Sequence, residues 1–382
     1  MARKVMLLAM ALDLGGAETH VVTLAEGLLR HGWTPVVVSA GGRLVARLEA
    51  AGIRHLRAPL ASRSPLDVLR ALGRVRRALR EEAPDVLHAH ARIPAWVSET
   101  ARRGLGLPLV TTYHGVYQAG WFWRRVSRWG DVTIAVSAEV KEHLVERLGA
   151  PEERVRVIPN GVDTEHFAPA AAPPPVEGAA PDDGPVIVHV SRLDEVLEPA
   201  LALCDAAAAL APRWPRLRAL IVGGGRGEAA VAARAREANA RAGREVVRLV
   251  GARPDPLPYL QRADAVVAAG RAALEAMACG RPLIVAGAGG LAGWAAPETW
   301  EALARTNLSG RGGGVPATGE ALAALLAAGL ERPEELRRLG SFGRDVVVAR
   351  YSIESMVRAV VAAYEDALRL RRTDRTATEV TA

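Results

Sequence analysis

The stretch Gly270-Arg-Ala-Ala-Leu-Glu-Ala-Met-Ala-Cys-Gly-Arg-Pro-Leu-Ile-Val285 carries the clearest fold signal in the chain. An apolar run over 263–269 precedes it, and a second one begins at Leu283. The pattern predicts a buried strand, a glycine turn, a short helix that stops at Gly280, and another strand. The first amides of such a helix have no partner within it, and the helix dipole favours an anion there. Glu275, one turn further on, would stand beside a phosphate bound at this end.

Glu275 has two interpretations. A nucleotide would place its diphosphate on the helix amides and its ribose hydroxyls on this carboxylate. An acidic residue also favours the positive end of any helix, with no ligand involved. Arg192 supports the first interpretation, because it follows another predicted strand and could pair with a diphosphate through two N–H groups. In a chain this rich in arginine, the alternative for Arg192 is an ordinary surface residue.

Length and composition limit the class of protein. The chain has 382 residues, of which 50% are hydrophobic, so two packed domains are expected. No apolar run reaches the roughly 18 residues of a bilayer span. The apolar run over 5–11 is short and lacks a cleavage site, so it predicts a first buried strand rather than a signal peptide. Cys204 and Cys279 lie in alanine-rich helical patterns and indicate core residues in a reducing, cytoplasmic environment.

The charge pattern favours acidic ligands. The net charge is +7, and Lys4 and Lys141 are the only lysines, so arginine supplies nearly all the positive charge. Nucleotides and anionic lipid are compatible partners. No zinc-finger spacing, basic-zipper heptad or RNA-stacking motif is present, so no nucleic-acid partner is expected. The chain contains no Asp-x-Asp sequence, and no metal site is expected.

Strand-like runs alternate with helical patterns through both halves of the chain. In the first half, helices such as 17–31 and 66–81 separate strands predicted over 5–10, 34–39, 86–90, 109–113, 133–136 and 155–158. In the second half, helices over 198–210 and 228–242 separate strands over 186–190, 218–222 and 246–250. This alternation predicts parallel sheets covered by helices on both faces, with ligands at the carboxyl ends of the strands.

Composition also predicts the domain boundaries. A Pro/Ala-rich segment over 168–185 has no periodicity and indicates an extended linker or loop. It separates a first Rossmann-like domain, 1–167, from a second, 186–350. A C-terminal helix is predicted over 351–371, and the polar residues 372–382 predict a disordered tail.

Loops of the first domain carry further candidate residues. Gly15 and Gly16 follow the first strand and permit close approach of the backbone to a ligand, although a glycine pair before a helix is also ordinary turn chemistry. His114 follows the fourth predicted strand, where it would project toward a ligand or simply cap the strand. His88 and His90 alternate on one strand and so face the same side, where they line a ligand site or pack. No third ligand stands at a recognisable metal spacing.

These loops, taken in order, resemble a retaining glycosyltransferase of family 4 with the two-domain GT-B architecture. The similar segments span the chain from residue 5 to about residue 370: Gly15-Gly-Ala-Glu18, Thr112-Tyr-His-Gly115, Ile158-Pro-Asn-Gly-Val-Asp163, Ser191-Arg-Leu193 and Leu274-Glu-Ala-Met-Ala-Cys-Gly-Arg-Pro282. The resemblance implies an α/β fold of two Rossmann-like, doubly wound parallel-sheet domains facing a central cleft. It also implies a nucleotide-sugar donor in the second domain, an acceptor in the first, and a C-terminal helix that crosses back to the first domain.

The resemblance assigns roles by position. Glu275 would bind the donor ribose and Arg192 the diphosphate, while Gly16 would approach the donor phosphates from the first domain. His114 would lie on the sugar or acceptor side. The candidate catalytic residues are therefore His114, Arg192 and Glu275. The candidate donor-binding residues are Gly15, Gly16, Arg192, Gly270, Arg271 and Glu275. The nucleotide-diphosphate sugar is a substrate, so no separate cofactor is implied.

Two positions depart from the family pattern. The family usually has a lysine five residues after the arginine, as a second phosphate cation, and this place is Leu197 here. It also often has a glutamate eight residues before the Glu275 equivalent, in a loop that contacts the sugar, and this place is Val267. Arg271 could supply the missing charge. Losing a diphosphate cation costs on the order of several kcal/mol of leaving-group stabilisation, so weak activity is an alternative.

The first domain also contains Trp121-Phe-Trp-Arg-Arg-Val-Ser-Arg-Trp129. Clustered tryptophan and arginine suit a membrane interface, and Arg70, Arg74 and Arg77 share one face of a predicted helix. The other interpretation is that the aromatic residues belong to the core and the arginines form a solvated face. Peripheral contact would place the protein at the inner face of the membrane, with a lipid-linked rather than a free carbohydrate acceptor.

The leading hypothesis is a metal-independent, retaining hexosyltransferase in cell-envelope glycan or glycolipid synthesis. Fixed cations and helix amides would stabilise the leaving diphosphate. A sugar-nucleotide epimerase or hydrolase with the same architecture is the enzymatic alternative. A catalytically weakened sugar-nucleotide-binding protein would fit the departure at Leu197.

Overall fold

The computed structural model describes residues 2–13, 15–179, 184–194, 196–311 and 313–380, with side chains up to residue 371. The chain forms two compact units, Met1–Gly161 with Ile353–Ala382, and Val162–Ser352. The boundaries expected from sequence stand close to these, at 167 and 351. The C-terminal helix continues to Val380, which corrects the prediction of a disordered tail over 372–382: the backbone is helical through residue 380, and residues 381–382 lie outside the described residues.

The first unit alternates strands with helices. Its strands are β1 (Lys4–Leu8), β2 (Thr34–Ser39), β3 (Arg54–Arg57), β4 (Val86–His90), β5 (Leu109–Tyr113), β6 (Val132–Ala135) and β7 (Val155–Val157). Its helices are α1 (Gly16–Arg30), α2 (Val45–Ala50), α3 (Pro65–Glu82), α4 (Arg92–Ala101), α5 (Trp121–Val126) and α6 (Ala138–Glu142), with a π-helical turn over His143–Arg147 and a 3-10 turn over Glu152–Arg154.

The seven strands of the first unit form one parallel sheet in the order β3-β2-β1-β4-β5-β6-β7. This confirms the predicted doubly wound sheet. The strand order reverses between β1 and β4, so the loops after these two strands lie side by side. The sequence pattern does not predict β3, because Arg54-His-Leu-Arg57 has no apolar run and an edge strand needs little burial.

The C-terminal helix, Ile353–Val380, packs on the first unit. Val357 and Tyr364 are buried in the same core as residues of β1 and α1. A side chain at Gly27 of α1 would collide with Val357, so this glycine allows the two helices to approach closely. The helix therefore belongs to the core of the first unit.

The second unit has the same alternation. Its strands are β8 (Val186–Val190), β9 (Arg218–Val222), β10 (Val247–Gly251), β11 (Ala265–Ala268), β12 (Leu283–Gly287) and β13 (Gly290–Trp294). Its helices are α7 (Glu198–Leu210), α8 (Glu228–Ala242), α9 (Leu257–Arg262), α10 (Gly270–Ala278), α11 (Trp300–Arg305), α12 (Gly319–Leu330) and α13 (Pro333–Arg350). The first two strands and the first two helices have the bounds that the sequence predicts.

The second sheet has the order β10-β9-β8-β11-β12-β13, and its strands run parallel except for β13. The antiparallel β13 corrects the prediction of a purely parallel arrangement. Only Ala288 and Gly289 separate it from β12, which is too short a link for the crossover that a parallel strand needs. Gly290, with φ +108°, continues this tight reversal.

The Pro/Ala-rich segment lies against the second unit in its described part, residues 168–179. Gln261 Nε2 donates a hydrogen bond to the Ala168 carbonyl oxygen at 2.8 Å. A side chain at Gly178 would collide with Leu220 and Arg248, so the segment passes directly over the edge of the sheet. Composition predicts an irregular conformation here but does not reveal these contacts. The predicted linker residues 180–183 lie outside the described residues.

Candidate functional site

Arg192 and Gly270, on which the nucleotide hypothesis depends, follow neighbouring strands of the second sheet. β8 and β11 run parallel, with His189 paired to Val267. Arg192 and Gly270 each lie about three residues beyond this pair, at the carboxyl edge. The strand order reverses between β8 and β11, which is the point where open parallel sheets bind ligands.

The backbone on both sides of Arg192 is held in place. Ser191 Oγ lies 2.8 Å from Nε2 of the buried His189. The Leu193 N–H donates to the Gly224 carbonyl oxygen at 3.0 Å. The Arg192 side chain is exposed, and within the described part of the chain no ion pair engages it. The edge therefore presents an arginine on a constrained loop, without a carboxylate partner.

Gly270 opens α10 with φ +57°, in the left-handed region that favours glycine. A side chain there would meet no other atom within 4 Å, so the space beside this helix end is open. The Gly270 N–H donates to the Leu308 carbonyl oxygen at 2.9 Å. This bond corrects the expectation that the Gly270 amide binds an anion. Beyond Gly270, the first turn of α10 also contains the amide of Ala272, a position that has no carbonyl partner within its own helix.

Glu275 lies on α10 and is 8% exposed. Its Oε1 accepts a hydrogen bond from Arg271 Nε at 2.8 Å. Burial raises the pKa of Glu275, and the positive charge of Arg271 opposes that rise. His166 and Asp255, which pair at 3.1 Å, also act on this pKa in opposite directions. Arg271, expected to compensate for the family's missing lysine, pairs here with Glu275.

Two parts of this edge were missed by the sequence predictions. The turn Gly223-Gly-Gly-Arg-Gly227 packs against the Arg192 loop, because a side chain at Gly223 would collide with the Ser191 carbonyl oxygen. Glycines between a predicted strand and a predicted helix are its signal. The pair of His166 and Asp255 has no such signal, since it joins distant parts of the chain.

The two departures from the family pattern have simple structural explanations. Leu197 packs against the core of the second unit and fills the space where a side chain on Gly227 would stand. Val267 is fully buried in β11. Neither position presents a charge to the edge that carries Arg192, so the positive charge contributed by β8 and its loop rests on that one guanidinium.

Gly15 and Gly16 stand at the start of α1 in the first unit. Gly15 has an extended conformation with φ −172°, and Gly16 is the first helical residue. A side chain at Gly16 would meet nothing within 4 Å, whereas one at Gly15 would collide with the Glu18 carboxylate. A ligand therefore has an open approach at Gly16, while Glu18 already puts a negative charge beside Gly15.

Three histidines surround the switch point of the first sheet. His90 Nδ1 lies 3.1 Å from His114 Nε2. The centroid of the His20 ring lies 4.8 Å from that of His114 and 5.6 Å from that of His90. In the sequence, alternation along a predicted strand identifies His90 as a candidate site residue, and the position after another predicted strand identifies His114. His20 was missed, because its place on a helix of the core indicates only packing.

His88 lies beside these three histidines but belongs to the core. Its ring centroid is 4.2 Å from that of His90, as expected for two residues on the same side of one strand. The Tyr364 hydroxyl lies 2.7 Å from Nδ1, and the Thr112 hydroxyl lies 2.7 Å from Nε2. Both ring nitrogens are therefore engaged, and the C-terminal helix contributes one of the partners.

Burial keeps the imidazoles of His88, His90 and His114, and of His189 in the second unit, neutral at pH 7. It lowers the pKa of His88 to about 3 and that of His114 to about 4. Burial also lowers the pKa of His189 to about 4 and that of His90 well below its ordinary value. At neutral pH each of these rings is therefore uncharged, with one nitrogen that can donate a hydrogen bond and one that can accept.

The protein is expected to lose stability between pH 7.5 and 5.5. A histidine whose pKa is lower in the folded state binds its proton first in the unfolded chain, so its stability contribution is complete above pH 6.5 and falls as the pH drops toward 4. Each such histidine should remove about 1.4 kcal/mol of unfolding free energy at pH 5.5. Urea titrations at both pH values measure this loss. Between pH 7.5 and 5.5 the variant His114→Gln should lose about 1.4 kcal/mol less unfolding free energy than the native protein. An unchanged pH dependence in that variant would contradict the assignment.

The Trp/Arg-rich segment divides between core and surface. Trp121 and Phe122 on α5 are 78% and 52% exposed. Trp123 instead stacks against the guanidinium of Arg92 at 4.5 Å, and Trp129 packs on the core of the first unit. The exposed set also includes Arg124, Arg125 and, on α3, Leu66, Leu69, Arg70, Arg74 and Arg77. Among helices of the described residues, none is both long and apolar enough for a membrane span.

Residues 14–166 match the family described as Glycosyltransferase Family 4, and residues 184–309 match the one described as Glycosyl transferases group 1. The D-inositol 3-phosphate glycosyltransferase of Kribbella flavida is 31% identical over 324 residues, which cover 73% of this chain and 76% of that protein. The enzyme of the same name from Acidothermus cellulolyticus is 32% identical over 54% of this chain, and the match spans only 53% of that relative.

Solved structures share the fold. A glycosyltransferase from Rickettsia africae superposes with a TM-score of 0.77 at 22% identity, over 96% of this chain and 98% of that chain. Anabaena Alr3699/HepE, solved in complex with UDP, superposes with a TM-score of 0.73 at 20% identity, over 95% and 99% of the two chains. These likenesses confirm the predicted GT-B fold class, with two Rossmann-like α/β domains.

Proposed function

Because the chain belongs to the glycosyltransferases, with a family 4 domain followed by a group 1 domain, we propose that it transfers a sugar from a nucleotide-diphosphate sugar to an acceptor. The observation that carries this proposal is the edge of the second sheet. There an exposed arginine, Arg192, and the first amides of α10 follow adjacent strands, and the buried Glu275 stands one helical turn away.

The second unit would hold the donor. Arg192 and the amides after Gly270 suit a diphosphate, because each offers N–H donors with positive charge or dipole. The Glu275 carboxylate, already fixed by Arg271, suits the two ribose hydroxyls. UDP is the first nucleotide to test, since it is the ligand named for the Anabaena structure.

The transfer itself would proceed with retention and without a divalent ion in the step. The bond between the anomeric carbon and the diphosphate oxygen breaks, and the acceptor oxygen forms its bond to that carbon from the same face. The acceptor proton passes to the departing phosphate oxygen. Charge on the leaving group grows as the bond breaks, so the guanidinium of Arg192 and the helix amides would stabilise the transition state more than the bound substrate.

The first unit would bind the acceptor and the transferred sugar. Its polar candidates are the open helix end at Gly16 and the neutral imidazole of His114. Both stand at the carboxyl edge of the first sheet, where loops bind ligands in this class of fold. The Kribbella and Acidothermus relatives are named for inositol 3-phosphate. A polyol phosphate and a lipid-linked carbohydrate are therefore the acceptor classes to compare.

A lipid-linked acceptor in cell-envelope synthesis would require contact with the inner face of the membrane. The exposed Trp121 and Phe122 beside Arg124 and Arg125 support such contact, because aromatic rings favour headgroup depth and arginines attract anionic lipid.

The double change Trp121→Ser, Phe122→Ser is expected to weaken binding to phosphatidylglycerol-containing vesicles by about 10-fold or more, because the apolar area of two rings stays in water. Vesicle sedimentation measures the loss. The matched control Val348→Ser, at an exposed apolar position of the second unit, should bind as the native protein does. Equal binding of the double variant and the native protein would refute membrane contact through α5.

The transferase proposal is tested by incubation with radiolabelled nucleotide sugars, with and without acceptor. A thermal-shift screen selects the nucleotide first, because a bound donor stabilises the folded state. Transfer of label to an acceptor supports the proposal. Conversion of the donor without acceptor identifies the epimerase or hydrolase alternative. Binding without turnover, both in the native protein and after Leu197→Lys, identifies a sugar-nucleotide-binding protein.

A further inference from the structure

His20, His90 and His114 come together from three separate elements of the first unit. His20 lies on α1, His90 ends β4, and His114 directly follows β5. Each residue offers one ring nitrogen, and the three nitrogens lie within 4.8 Å of one another. His20 and His90 are buried, and both of their elements pack in the interior of the unit. The cluster is therefore held by the fold rather than by a mobile loop.

The spacing of the nitrogens suits a small metal ion. A tetrahedral zinc ion with nitrogen ligands at roughly 2.0–2.1 Å places two ligand nitrogens about 3.3 Å apart. His90 Nδ1 and His114 Nε2 already lie 3.1 Å apart. The three ligand nitrogens lie within 4.8 Å of one another, so the His20 ring is the one that would have to move closer to complete the site. Two of the three ligand positions thus need little movement.

The surroundings also suit a metal ion. Ligating imidazole must be neutral, as burial makes His90 and His114. The titratable neighbours that act on the pKa of His90 are other histidines rather than arginine or lysine. His90 Nε2 and His114 Nδ1 are buried and accept or donate no hydrogen bond within the described part of the chain. They are the opposite ring nitrogens from the pair that lies 3.1 Å apart, so the ion would bind to the facing nitrogens and not to these two.

We propose that His20, His90 and His114 bind one divalent transition-metal ion of the Zn²⁺ class, with a fourth position left for water. Imidazole is a ligand type that Zn²⁺ favours. The ion has no part in the transfer step proposed above. It would instead occupy His114, and so compete with any sugar or acceptor that this residue contacts.

Equilibrium dialysis of the full-length, chelator-treated protein against Zn²⁺ at pH 7.5 tests the proposal. We expect one ion per chain, and visible absorption bands of tetrahedral Co²⁺ when Co²⁺ replaces Zn²⁺. Each of His20→Ala, His90→Ala and His114→Ala should weaken Zn²⁺ binding by at least roughly 10- to 100-fold, the range that even outer-sphere changes produce. The control His31→Ala removes a histidine of the same unit outside the cluster and should bind Zn²⁺ like the native protein.

Folding of each variant is checked by circular dichroism, and a variant that fails this check is replaced by His→Gln at the same position. Absence of stoichiometric Zn²⁺ binding by the native protein, or unchanged affinity in the folded cluster variants, overturns the proposal. The measurement involves no sugar transfer, so it stands or falls separately from the glycosyltransferase function.

Discussion

The variant Glu275→Ala is expected to bind UDP about 100-fold more weakly than the native protein. A carboxylate that accepts hydrogen bonds from two ribose hydroxyls contributes about 3 kcal/mol in total, and every 1.4 kcal/mol corresponds to a factor of about ten. Glu275 is buried and fixed by Arg271, so it meets the ribose without prior ordering of its side chain. Isothermal titration calorimetry of the native and variant proteins measures the change.

Two further variants separate ribose binding from other effects of the substitution. Glu301→Ala removes an exposed carboxylate of the same unit, and we expect no change in UDP affinity. Arg271→Ala removes the ion-pair partner of Glu275, so its UDP affinity shows how much the fixed orientation of the Glu275 carboxylate contributes to binding. The assignment of Glu275 to the ribose is wrong if the Glu275→Ala variant has the melting curve of a folded protein and binds UDP as the native protein does.

The variant Arg192→Ala is expected to lower kcat for sugar transfer by about 10²- to 10³-fold. This is the loss seen when one fixed donor to a developing negative charge is removed. The effect should be large here because Leu197, at the place of the family's second phosphate cation, supplies no positive charge to the same edge. Arg192→Lys should recover part of the rate, because lysine keeps the positive charge but cannot form the bidentate pair of hydrogen bonds with a phosphate. Steady-state kinetics with the labelled donor identified above measure both variants.

A comparison of UDP with UMP shows whether Arg192 acts on the diphosphate. The loss of affinity in Arg192→Ala should be confined to UDP, because UMP lacks the second phosphate. Arg337→Ala, an exposed arginine on α13, serves as the matched control and should leave kcat unchanged. Equal weakening of UDP and UMP by Arg192→Ala would show that the guanidinium does not contact the terminal phosphate.

Much of the fold of the second domain can be predicted from local patterns in the sequence. Apolar runs between glycine and proline punctuation predict β8 and β9 with their observed bounds, because a buried parallel strand needs an uninterrupted apolar run. The parallel order then places the loops after β8 and β11 at one edge, so Arg192 and the start of α10 could be paired from sequence.

Other features depend on contacts that no local pattern records. The Gly270 amide is taken up by the Leu308 carbonyl, which comes from a segment far along the chain. His166 reaches Asp255, and His20 reaches His114, across similarly long separations. The Pro/Ala-rich segment looks like a free linker by composition, yet Gln261 holds its first residue.

The sequence by itself determined the alternation of most strands and helices, the two Rossmann-like sheets and the glycine turns that open α1 and α10, because each depends on residues that are neighbours in the chain. Only the tertiary structure decided that the Gly270 amide is taken up, that Arg192 has no ion pair among the described residues, and which histidines meet. The physical reason is that hydrogen bonding, ion pairing and burial depend on groups brought together by packing, and the distances among them are absent from any local run of residues.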